Sequence, residues 1–475
     1  MTFVSIDPTS GVELGRFAPL DLAAREALLQ RVHQDQGTWR TRTLAERARW
    51  VTALGAALRR HREAMALELT SEMGKPIVAA RAEIDKCAML CDQAPALAAR
   101  ALAPEHVSSD ADTSVVIRYD AMGTILAIMP WNFPHWQALR FAVPALLAGN
   151  GIVIKPAHSV AGSALLLQRC IDEASAAVRS ASASSDGDAA SAPCQVALIE
   201  QDQLDAVIAD ARICGVTLTG SERAGRHVAQ TAGAHLKKVV LELGGSDPFL
   251  VLPDADVPAA AAAAVAARTV NSGQSCIAAK RFIVCDAVYD EFLAHFTDGM
   301  RRLVVGDPRD ERTQIGPIAT ANVRDGLAKQ VADSVAAGAR ALVGGDGASS
   351  LGYFYPPTVL VDVPTDAPAA CEELFGPVAA VFRVATPEEA IITANASPYG
   401  LGASVWTRDV ALADRCIAAL DVGMVFVNDM VVSDPLIPFG GIKLSGVGRE
   451  LGISGCREFT NQKSVKLRLP QPDPQ

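Results

Sequence analysis

Residues 124–155 read TILAIMPWNFPHWQALRFAVPALLAGNGIVIK, and this stretch decides the fold class of the chain. Residues 124–129 and 151–155 are short apolar runs of the length typical of buried strands. Between them, residues 136–148 have the length and apolar spacing of a helix. A strand, a helix and a second strand in this order predict a βαβ unit with parallel strands.

The same alternation continues along most of the chain. Further apolar runs alternate with helical stretches, the runs being 195–199, 215–218, 238–243 and 281–284. A second series of helices and strands begins after residue 244 and continues to about residue 440. Before both series, residues 21–105 predict long helices, one of them over 45–73. We therefore predict an α/β fold with parallel sheets and helices on both faces.

The composition excludes several classes of function. The chain has 475 residues, half of them hydrophobic and a fifth charged, as in globular proteins of two or three domains. A formal charge of −10 without a basic patch argues against nucleic-acid binding. No run approaches the ~20 apolar residues of a membrane span, and residues 1–7 lack signal-peptide features, so we expect a cytoplasmic protein without a membrane partner. Ten cysteines without a CxxC pair and eight histidines without metal-ligand spacing predict free thiols and no metal site.

Two residues of types that support covalent catalysis lie on separate segments, with the carboxylate upstream of the cysteine. Cys276 is found in the polar, glycine-containing stretch NSGQSCIAAK (271–280), where a thiol can form a nucleophilic thiolate. Glu242 lies in the apolar run 238–243, where a carboxylate can serve as a base. Together they predict a thioester intermediate that water cleaves. The alternative is that Glu242 is a strand-end glutamate paired with a lysine.

A phosphate-binding turn is suggested by the stretch GVTLTGSERAG (215–225), although no GxGxxG motif is present. Gly220 and Ser221 come between a predicted strand and a helix, where backbone N–H groups attract a pyrophosphate. Lys155 ends another predicted strand, at the sheet edge where ligands bind in such folds. The alternatives are a tight turn without a ligand and a surface lysine.

Seven separated motifs, taken in series, resemble those of the aldehyde dehydrogenase family. They are MPWNFP (129–134), KP (155–156), TGS (219–221), LELGG (241–245), the Cys276 segment, EELFGP (372–377) and PFGGIKLSG (438–446). Within the family, the sequences of these motifs are most similar to those of succinate-semialdehyde dehydrogenases of the shorter bacterial type. The resemblance covers nearly the whole chain and implies three parts: a Rossmann-like cofactor domain (1–102 and 123–243), an α/β catalytic domain (244–440) and a β-hairpin oligomerisation arm (103–122 and 459–475).

The resemblance also implies roles for individual residues. Cys276 would attack an aldehyde, the Asn132 amide and the Cys276 backbone N–H would hold the oxyanion, and Glu242 would activate water. The implied cofactor is NAD or NADP, and its expected binding residues are Trp131, Lys155, His158, Ser159, Gly220, Ser221, Glu373 and Phe375. Three alternatives stay open: Asn132 as a turn residue, Phe375 as a core residue, and only one of Glu372 and Glu373 in use.

The expected substrate residues are Arg140, Phe439 and Ser445. Arg140 aligns with an arginine that holds a distal carboxylate in the family's succinate-semialdehyde dehydrogenases; its alternative is a helix-end salt bridge. A second arginine of many relatives is Val270 here, although Arg268 is two residues away. Phe439 is either a substrate-tunnel aromatic or a core residue.

Cofactor preference is expected to depend on His158. NAD-selective relatives often carry a glutamate there, which repels a 2′-phosphate, so its absence predicts use of both NAD and NADP. The Ser/Ala-rich stretch 175–192 replaces a family turn near the adenine pocket and is predicted to be a mobile loop.

These features predict NAD(P)-dependent oxidation of a small aldehyde, foremost succinate semialdehyde, to its acid. The alternatives are an apolar or aromatic aldehyde, a CoA-acylating reaction, and a protein that has kept the fold without catalysis. The alternating tail at 460–469 predicts an edge strand, which with the resemblance indicates a homo-oligomer, either dimer or tetramer.

Overall fold

The structure, a computed structural model, describes residues 2–109, 113–181, 192–345 and 352–468. Of the predicted loop at 175–192, residues 175–181 instead continue a helix, because the alanine-rich segment sustains helical hydrogen bonding. The rest of that stretch, up to residue 191, lies outside the described residues, as do residues 110–112 and 469–475 of the expected oligomerisation arm.

The described residues form fifteen α-helices. They are α1 (Leu22–Trp39), α2 (Leu44–Arg60), α3 (Arg62–Met73), α4 (Ile77–Ala101), α5 (Pro134–Leu147), α6 (Ala161–Ala181), α7 (Leu204–Ala209), α8 (Glu222–Ala234), α9 (Val257–Thr269), α10 (Asp286–Arg301), α11 (Ala321–Ala336), α12 (Pro368–Cys371), α13 (Pro387–Asn395), α14 (Val410–Ala419) and α15 (Gly452–Glu458).

Twenty strands complete the described part of the chain. They are β1 (Phe3–Ile6), β2 (Glu13–Phe17), β3 (Glu105–Ser109), β4 (Thr113–Ala121), β5 (Thr124–Ile128), β6 (Gly151–Lys155), β7 (Cys194–Val196), β8 (Ile213–Thr219), β9 (Lys238–Glu242), β10 (Pro248–Val251), β11 (Arg281–Cys285), β12 (Arg340–Val343), β13 (Thr358–Val361), β14 (Val378–Val384), β15 (Tyr399–Gly400), β16 (Gly402–Trp406), β17 (Met424–Val427), β18 (Ile442–Lys443), β19 (Gly446–Val447) and β20 (Thr460–Arg468).

Two large sheets carry the fold. The first has the order β19-β9-β8-β5-β6-β7, parallel except for β19. The second has the order β12-β13-β14-β11-β10-β16-β17, parallel except for β12. Each sheet is buried in its own apolar core with packed helices, which confirms the predicted α/β class.

The short strand β19 joins the first sheet from far along the chain. Gly446 and Val447 pair antiparallel with Glu242 and Leu241 of β9. A side chain at Gly446 would place its Cβ 1.8 Å from the Leu241 carbonyl oxygen, and the residue has a φ of 134°, so this close pairing requires glycine. The edge of β9 is therefore covered by a late segment of the chain.

A third sheet, with the order β20-β4-β3, is antiparallel. Strand β20 pairs with β4 over nine residues and leaves its other edge unpaired among the described residues. Most of its side chains are exposed. None of the helices in the described ranges is long and apolar enough to cross a membrane.

Helix α4 fixes the start of α5, the helix that follows Asn132. The Glu83 carboxylate on α4 accepts hydrogen bonds from the backbone N–H groups of His135 and Trp136, both at 3.0 Å. These are unsatisfied first-turn donors, and a carboxylate also matches the positive end of the helix dipole. Lys75, fully buried, pairs with Glu83 and offsets its charge.

Candidate active site

The chain turns sharply between helix α9 and Cys276. Asn271, Ser272 and Gly273 follow one another with positive φ values of 54°, 57° and 78°. A Cβ at Gly273 would lie 2.3 Å from a neighbouring backbone carbonyl, so that position requires glycine. The left-handed conformation costs roughly 1–2 kcal/mol for each non-glycine residue. Asn271 offsets part of this cost, because its amide donates to the Asn132 backbone oxygen at 2.9 Å.

This turn buries the Cys276 side chain, and the residue is only 8% exposed. Burial raises the pKa of the thiol to about 12, although the charges of Arg140 and Lys280 act in the opposite direction. At neutral pH the resting form is therefore the thiol, whereas the polar sequence around it suggested a ready thiolate. A base must take the proton when Cys276 attacks.

Asn132 lies between β5 and α5 and is tied to the Cys276 loop. Its amide Nδ2 donates to the backbone oxygen of Gln274 at 3.1 Å. The Cys276 backbone N–H has no hydrogen-bond partner among the described residues. Asn132 and Cys276 line the same cavity, which is the arrangement that an oxyanion site requires.

Glu242 ends strand β9 and is 1% exposed. Within the described ranges, neither carboxyl oxygen has a hydrogen-bond partner. Burial, followed by the charge of Glu450, raises the pKa of Glu242 well above its usual range, which favours the protonated carboxyl. Glu242 does not itself line the cavities at Cys276, although Leu243 and Gly244 do.

One cavity at Cys276, the Trp131 cavity, has a volume of ≈ 220 Å³. Five of the predicted cofactor residues line it: Trp131, Gly220, Ser221, Glu373 and Phe375. The rings of Trp131 and Phe375 meet edge to face with centroids 5.6 Å apart. The Ser221 hydroxyl caps the 13-residue helix α8, whose N-terminal N–H groups suit a phosphate. Aromatic walls, a carboxylate and a helix N-terminus together fit a nicotinamide dinucleotide.

The other three predicted cofactor residues, Lys155, His158 and Ser159, lie outside the lining of the Trp131 cavity. Lys155 ends β6 in register with Ile128 of β5, so it lies at the same sheet edge as Trp131. The Lys155 side chain is buried, and burial lowers its pKa to about 8.

A carboxylate that the sequence motifs did not indicate accompanies His158. Glu200 follows β7 at the same sheet edge, and its Oε2 lies 3.4 Å from His158 Nε2. Burial and the neighbouring Lys155 charge lower the pKa of His158, which favours the neutral ring. The signal was present in the sequence, since Glu200 directly follows the predicted strand at 195–199.

Lys280 was also missed, although it ends the quoted Cys276 segment. Its side chain is fully buried, and its ammonium donates to the backbone oxygens of Ser275 at 2.8 Å and Cys276 at 2.5 Å. Its Nζ lies 3.4 Å from a carboxylate oxygen of Glu373. Lys280 thereby ties the nucleophile loop to a wall of the Trp131 cavity.

A second cavity at Cys276, the Phe439 cavity, has a volume of ≈ 120 Å³. Arg140 and Phe439 both line it, and the guanidinium lies 4.3 Å from the centroid of the Phe439 ring. The Arg140 ε-nitrogen donates to Glu450, and both side chains are 2% exposed. The salt-bridge alternative for Arg140 is therefore present, with a partner 310 residues away that the sequence did not indicate.

The remaining substrate candidates are placed differently from Arg140. Val270 lines the Phe439 cavity, whereas Arg268 is buried elsewhere and donates to the Gly273 backbone oxygen at 2.8 Å. The Ser445 hydroxyl accepts the backbone N–H of Gly400 at 3.0 Å and lines neither cavity at Cys276. Arg140 and Phe439 therefore line a cavity with Cys276, whereas Ser445 hydrogen-bonds to the backbone outside both cavities.

The chain is similar to known proteins along nearly its whole length. A model of the aldehyde dehydrogenase family matches residues 1–465. A succinate-semialdehyde dehydrogenase [NADP(+)] of Mycobacterium tuberculosis is 43% identical over 469 residues, covering 98% of this chain and 99% of the relative. One of Mycobacterium avium is 43% identical over 468 residues, covering 98% and 96%.

Solved structures agree with these sequence relatives. Succinic semialdehyde dehydrogenase from Streptococcus pyogenes, in complex with NADP+, superposes with a TM-score of 0.92 at 34% identity, covering 98% of this chain and all of that one. Succinate-semialdehyde dehydrogenase from Burkholderia pseudomallei has a TM-score of 0.91 at 32% identity, covering 99% and 95%. The family and the enzyme class that the seven motifs indicated are confirmed. The chain belongs to the aldehyde dehydrogenase family.

Proposed function

We propose that this chain oxidises succinate semialdehyde to succinate with NAD or NADP as the electron acceptor. The observation that carries the proposal is that Cys276 lies where two cavities meet. One cavity fits a nicotinamide, and the other is small and contains cationic side chains. The relatives described above are named for this aldehyde, which supports the choice of substrate.

The first step forms a bond between Cys276 Sγ and the carbonyl carbon. The thiol proton leaves to a base or to water, because the pKa of the buried thiol is about 12. The carbonyl oxygen becomes an oxyanion that accepts hydrogen bonds from Asn132 Nδ2 and from the free backbone N–H of Cys276. The Asn132 Nδ2 carries two N–H groups, so one can keep its bond to the Gln274 carbonyl while the other donates to the oxyanion.

NAD or NADP, when bound in the Trp131 cavity, supplies the acceptor for the hydride that leaves the substrate carbon. The substrate then remains on Cys276 as a thioester. Trp131 and Phe375 form an apolar wall that excludes water from this side. Ser221 and the N-terminus of α8 would hold phosphate, and Glu373 would accept a ribose hydroxyl.

Glu242 is proposed to remove a proton from the water that cleaves the thioester. Its two unpartnered oxygens leave both lone-pair sites available, and its burial makes it a stronger base once deprotonated. Water adds to the thioester carbon and the C–S bond breaks, which regenerates Cys276. The sum is aldehyde, NAD(P)⁺ and water giving acid, NAD(P)H and a proton.

Use of both NAD and NADP is also proposed. His158 has no carboxylate to repel the 2′-phosphate of NADP, which favours use of NADP. The neighbouring Glu200 carboxylate does repel a 2′-phosphate, which favours use of NAD. Lys155 lies nearby as a buried cation that either dinucleotide can use. Titrations of NADH and NADPH, followed by fluorescence, test this proposal, which fails if NADPH binds only as a weak competitor.

The domain division given above, assembly into a homo-oligomer and a cytoplasmic location complete the proposal. The two large sheets support the first point, and the unpaired, exposed edge of β20 supports the second. Free, mostly buried cysteines suit a reducing compartment. Light scattering of the purified protein distinguishes a dimer or tetramer from a monomer, and cell fractionation tests the location.

A panel of aldehydes with both cofactors tests the proposed reaction. We expect succinate semialdehyde to give the highest kcat/KM, with succinate as the product and no need for CoA. A higher kcat/KM for an apolar or aromatic aldehyde would contradict the substrate. Thioester release only in the presence of CoA would contradict the hydrolytic step.

A further inference from the structure

Lys86 places a second cation in the wall of the Phe439 cavity. It lies on helix α4, one turn after Glu83, which fixes the start of α5. The Lys86 ammonium lies 4.4 Å from the centroid of the Trp136 ring on α5. This cation–π contact holds the side chain against the cavity that Cys276 also lines.

The Lys86 ammonium has no anionic partner in the described part of the protein. Among the described residues, no carboxylate lies within ion-pair distance of its ammonium and no acceptor hydrogen-bonds to it. Burial lowers its pKa to about 8, and repulsion by Arg140 acts in the same direction. Cys87, Asp434 and Glu83 act in the opposite direction. An anion in the cavity would therefore stabilise Lys86 and relieve its repulsion from Arg140.

Arg140 differs from Lys86 in this respect. Its guanidinium pairs with Glu450 within the protein, and both side chains are almost fully buried. The position that carries a second arginine in many relatives is Val270, an apolar part of the same wall. Arg268 points to backbone oxygens and lies outside that lining. Arg140 thus has a carboxylate partner, although its Nη2 makes no hydrogen bond among the described residues. Lys86 is the cation of this cavity that has no carboxylate partner in the described part of the chain.

We propose that Lys86 holds the distal carboxylate of the substrate while the carbonyl carbon lies at Cys276. The inference rests on the proposed function and identifies the residue that makes it selective for carboxylated aldehydes. The ≈ 120 Å³ cavity suits a short chain between the two groups. An ammonium provides up to three N–H donors to a carboxylate that has left water.

The experiment compares Lys86→Met with Arg100→Met. Arg100 is exposed on the same helix, so both variants remove one positive charge from α4. Steady-state kinetics use succinate semialdehyde and butanal, two four-carbon aldehydes that differ in the carboxylate. We expect Lys86→Met to lower the ratio of their kcat/KM values by about 10- to 100-fold, mainly through KM for the semialdehyde. Arg100→Met is expected to leave the ratio unchanged, and Lys86→Arg to restore most of it.

The outcomes separate the two proposals. If the wild type and Lys86→Met share the same preference for the semialdehyde, Lys86 is not the carboxylate residue, and the substrate proposal stands. If the wild type itself prefers butanal, the proposed function fails and the inference fails with it.

Calorimetric binding of succinate to the wild type and Lys86→Met gives a readout without turnover, and we expect affinity to fall by a similar factor. Thermal melting of each variant shows whether it is folded, and Lys86→Gln serves if Lys86→Met is not.

Discussion

The two cavities that meet at Cys276 are built in different ways. The Trp131 cavity uses backbone groups, a helix N-terminus and aromatic rings from short motifs, and these parts are positioned by the ends of neighbouring parallel strands. The Phe439 cavity is walled by side chains from α4, α5, the Cys276 loop and the segment before β18. Backbone geometry determines what the first can bind, whereas the pairing of buried charges determines what the second can bind.

Replacing Cys276 with alanine tests whether the cavities act through one nucleophile. We expect kcat to fall by at least about 10⁴-fold, because no other described side chain at this junction can form the thioester. Binding of NADPH, measured by fluorescence, should be unchanged, since the Trp131 cavity keeps its other walls. Cys371→Ala, which changes an exposed thiol, is the matched control. Turnover of the variant near the wild-type rate would contradict covalent catalysis by Cys276.

Glu242→Gln separates hydride transfer from thioester hydrolysis in time. We expect a rapid burst of NAD(P)H followed by turnover slowed by about 10²–10⁴-fold, because the amide cannot take a proton from water. In the wild type, the pKa of Glu242 is raised, so thioester hydrolysis should speed up as pH rises and the carboxyl loses its proton. Stopped-flow absorbance measures both phases. If the variant loses the NAD(P)H burst itself, Glu242 instead acts in formation of the thioester.

Arg140→Met probes the charge pairing inside the Phe439 cavity. Removing one partner leaves Glu450 buried without its cation, and we expect a loss of about 3–5 kcal/mol in the free energy of unfolding. The double variant Arg140→Met/Glu450→Gln should recover most of this loss. Chemical denaturation of the three proteins measures it. Equal stability of all three would show that the pair contributes nothing.

The pH dependence of selectivity gives the smallest expected effect. Lys86 has a pKa of about 8, lowered by burial and by Arg140 and opposed by Asp434, Glu83 and Cys87. Its ammonium is present below that pH and is lost above it, so the preference for succinate semialdehyde over butanal should fall by up to about tenfold between pH 7 and 9.5. In Lys86→Arg the fall should disappear, because a guanidinium keeps its proton. The same fall in Lys86→Arg would point to another group.

The sequence was sufficient for the parts of the molecule that depend on local pattern. The apolar runs predicted β5 and β6 and the helix between them to within two residues, because buried parallel strands need continuous apolar side chains. The predicted helix over 45–73 is instead two helices that break at His61, which a run of helix-forming residues does not reveal. Gly74, with a φ of 73°, ends the second of them.

The candidate site was predictable where a motif determines the residue and its place together. Cys276, Asn132 and Trp131 were predicted in this way, and the three residues line one cavity. The charge state of the site was not predictable, since it depends on contacts between distant segments. The pairing of Arg140 with Glu450 and the raised pKa of Cys276 follow from burial, which single-residue patterns do not encode.

Strand β19 has a consequence for how the molecule matures on the ribosome. The segment that covers the edge of β9, and the Glu450 that pairs with Arg140, are translated after Cys276, Asn132 and Glu242. A nascent chain that already contains Cys276, Asn132 and Glu242 therefore still has an open sheet edge and an uncompensated guanidinium beside its thiol. The cover on β9 and the Arg140 ion pair can therefore form only after residue 450 has been translated.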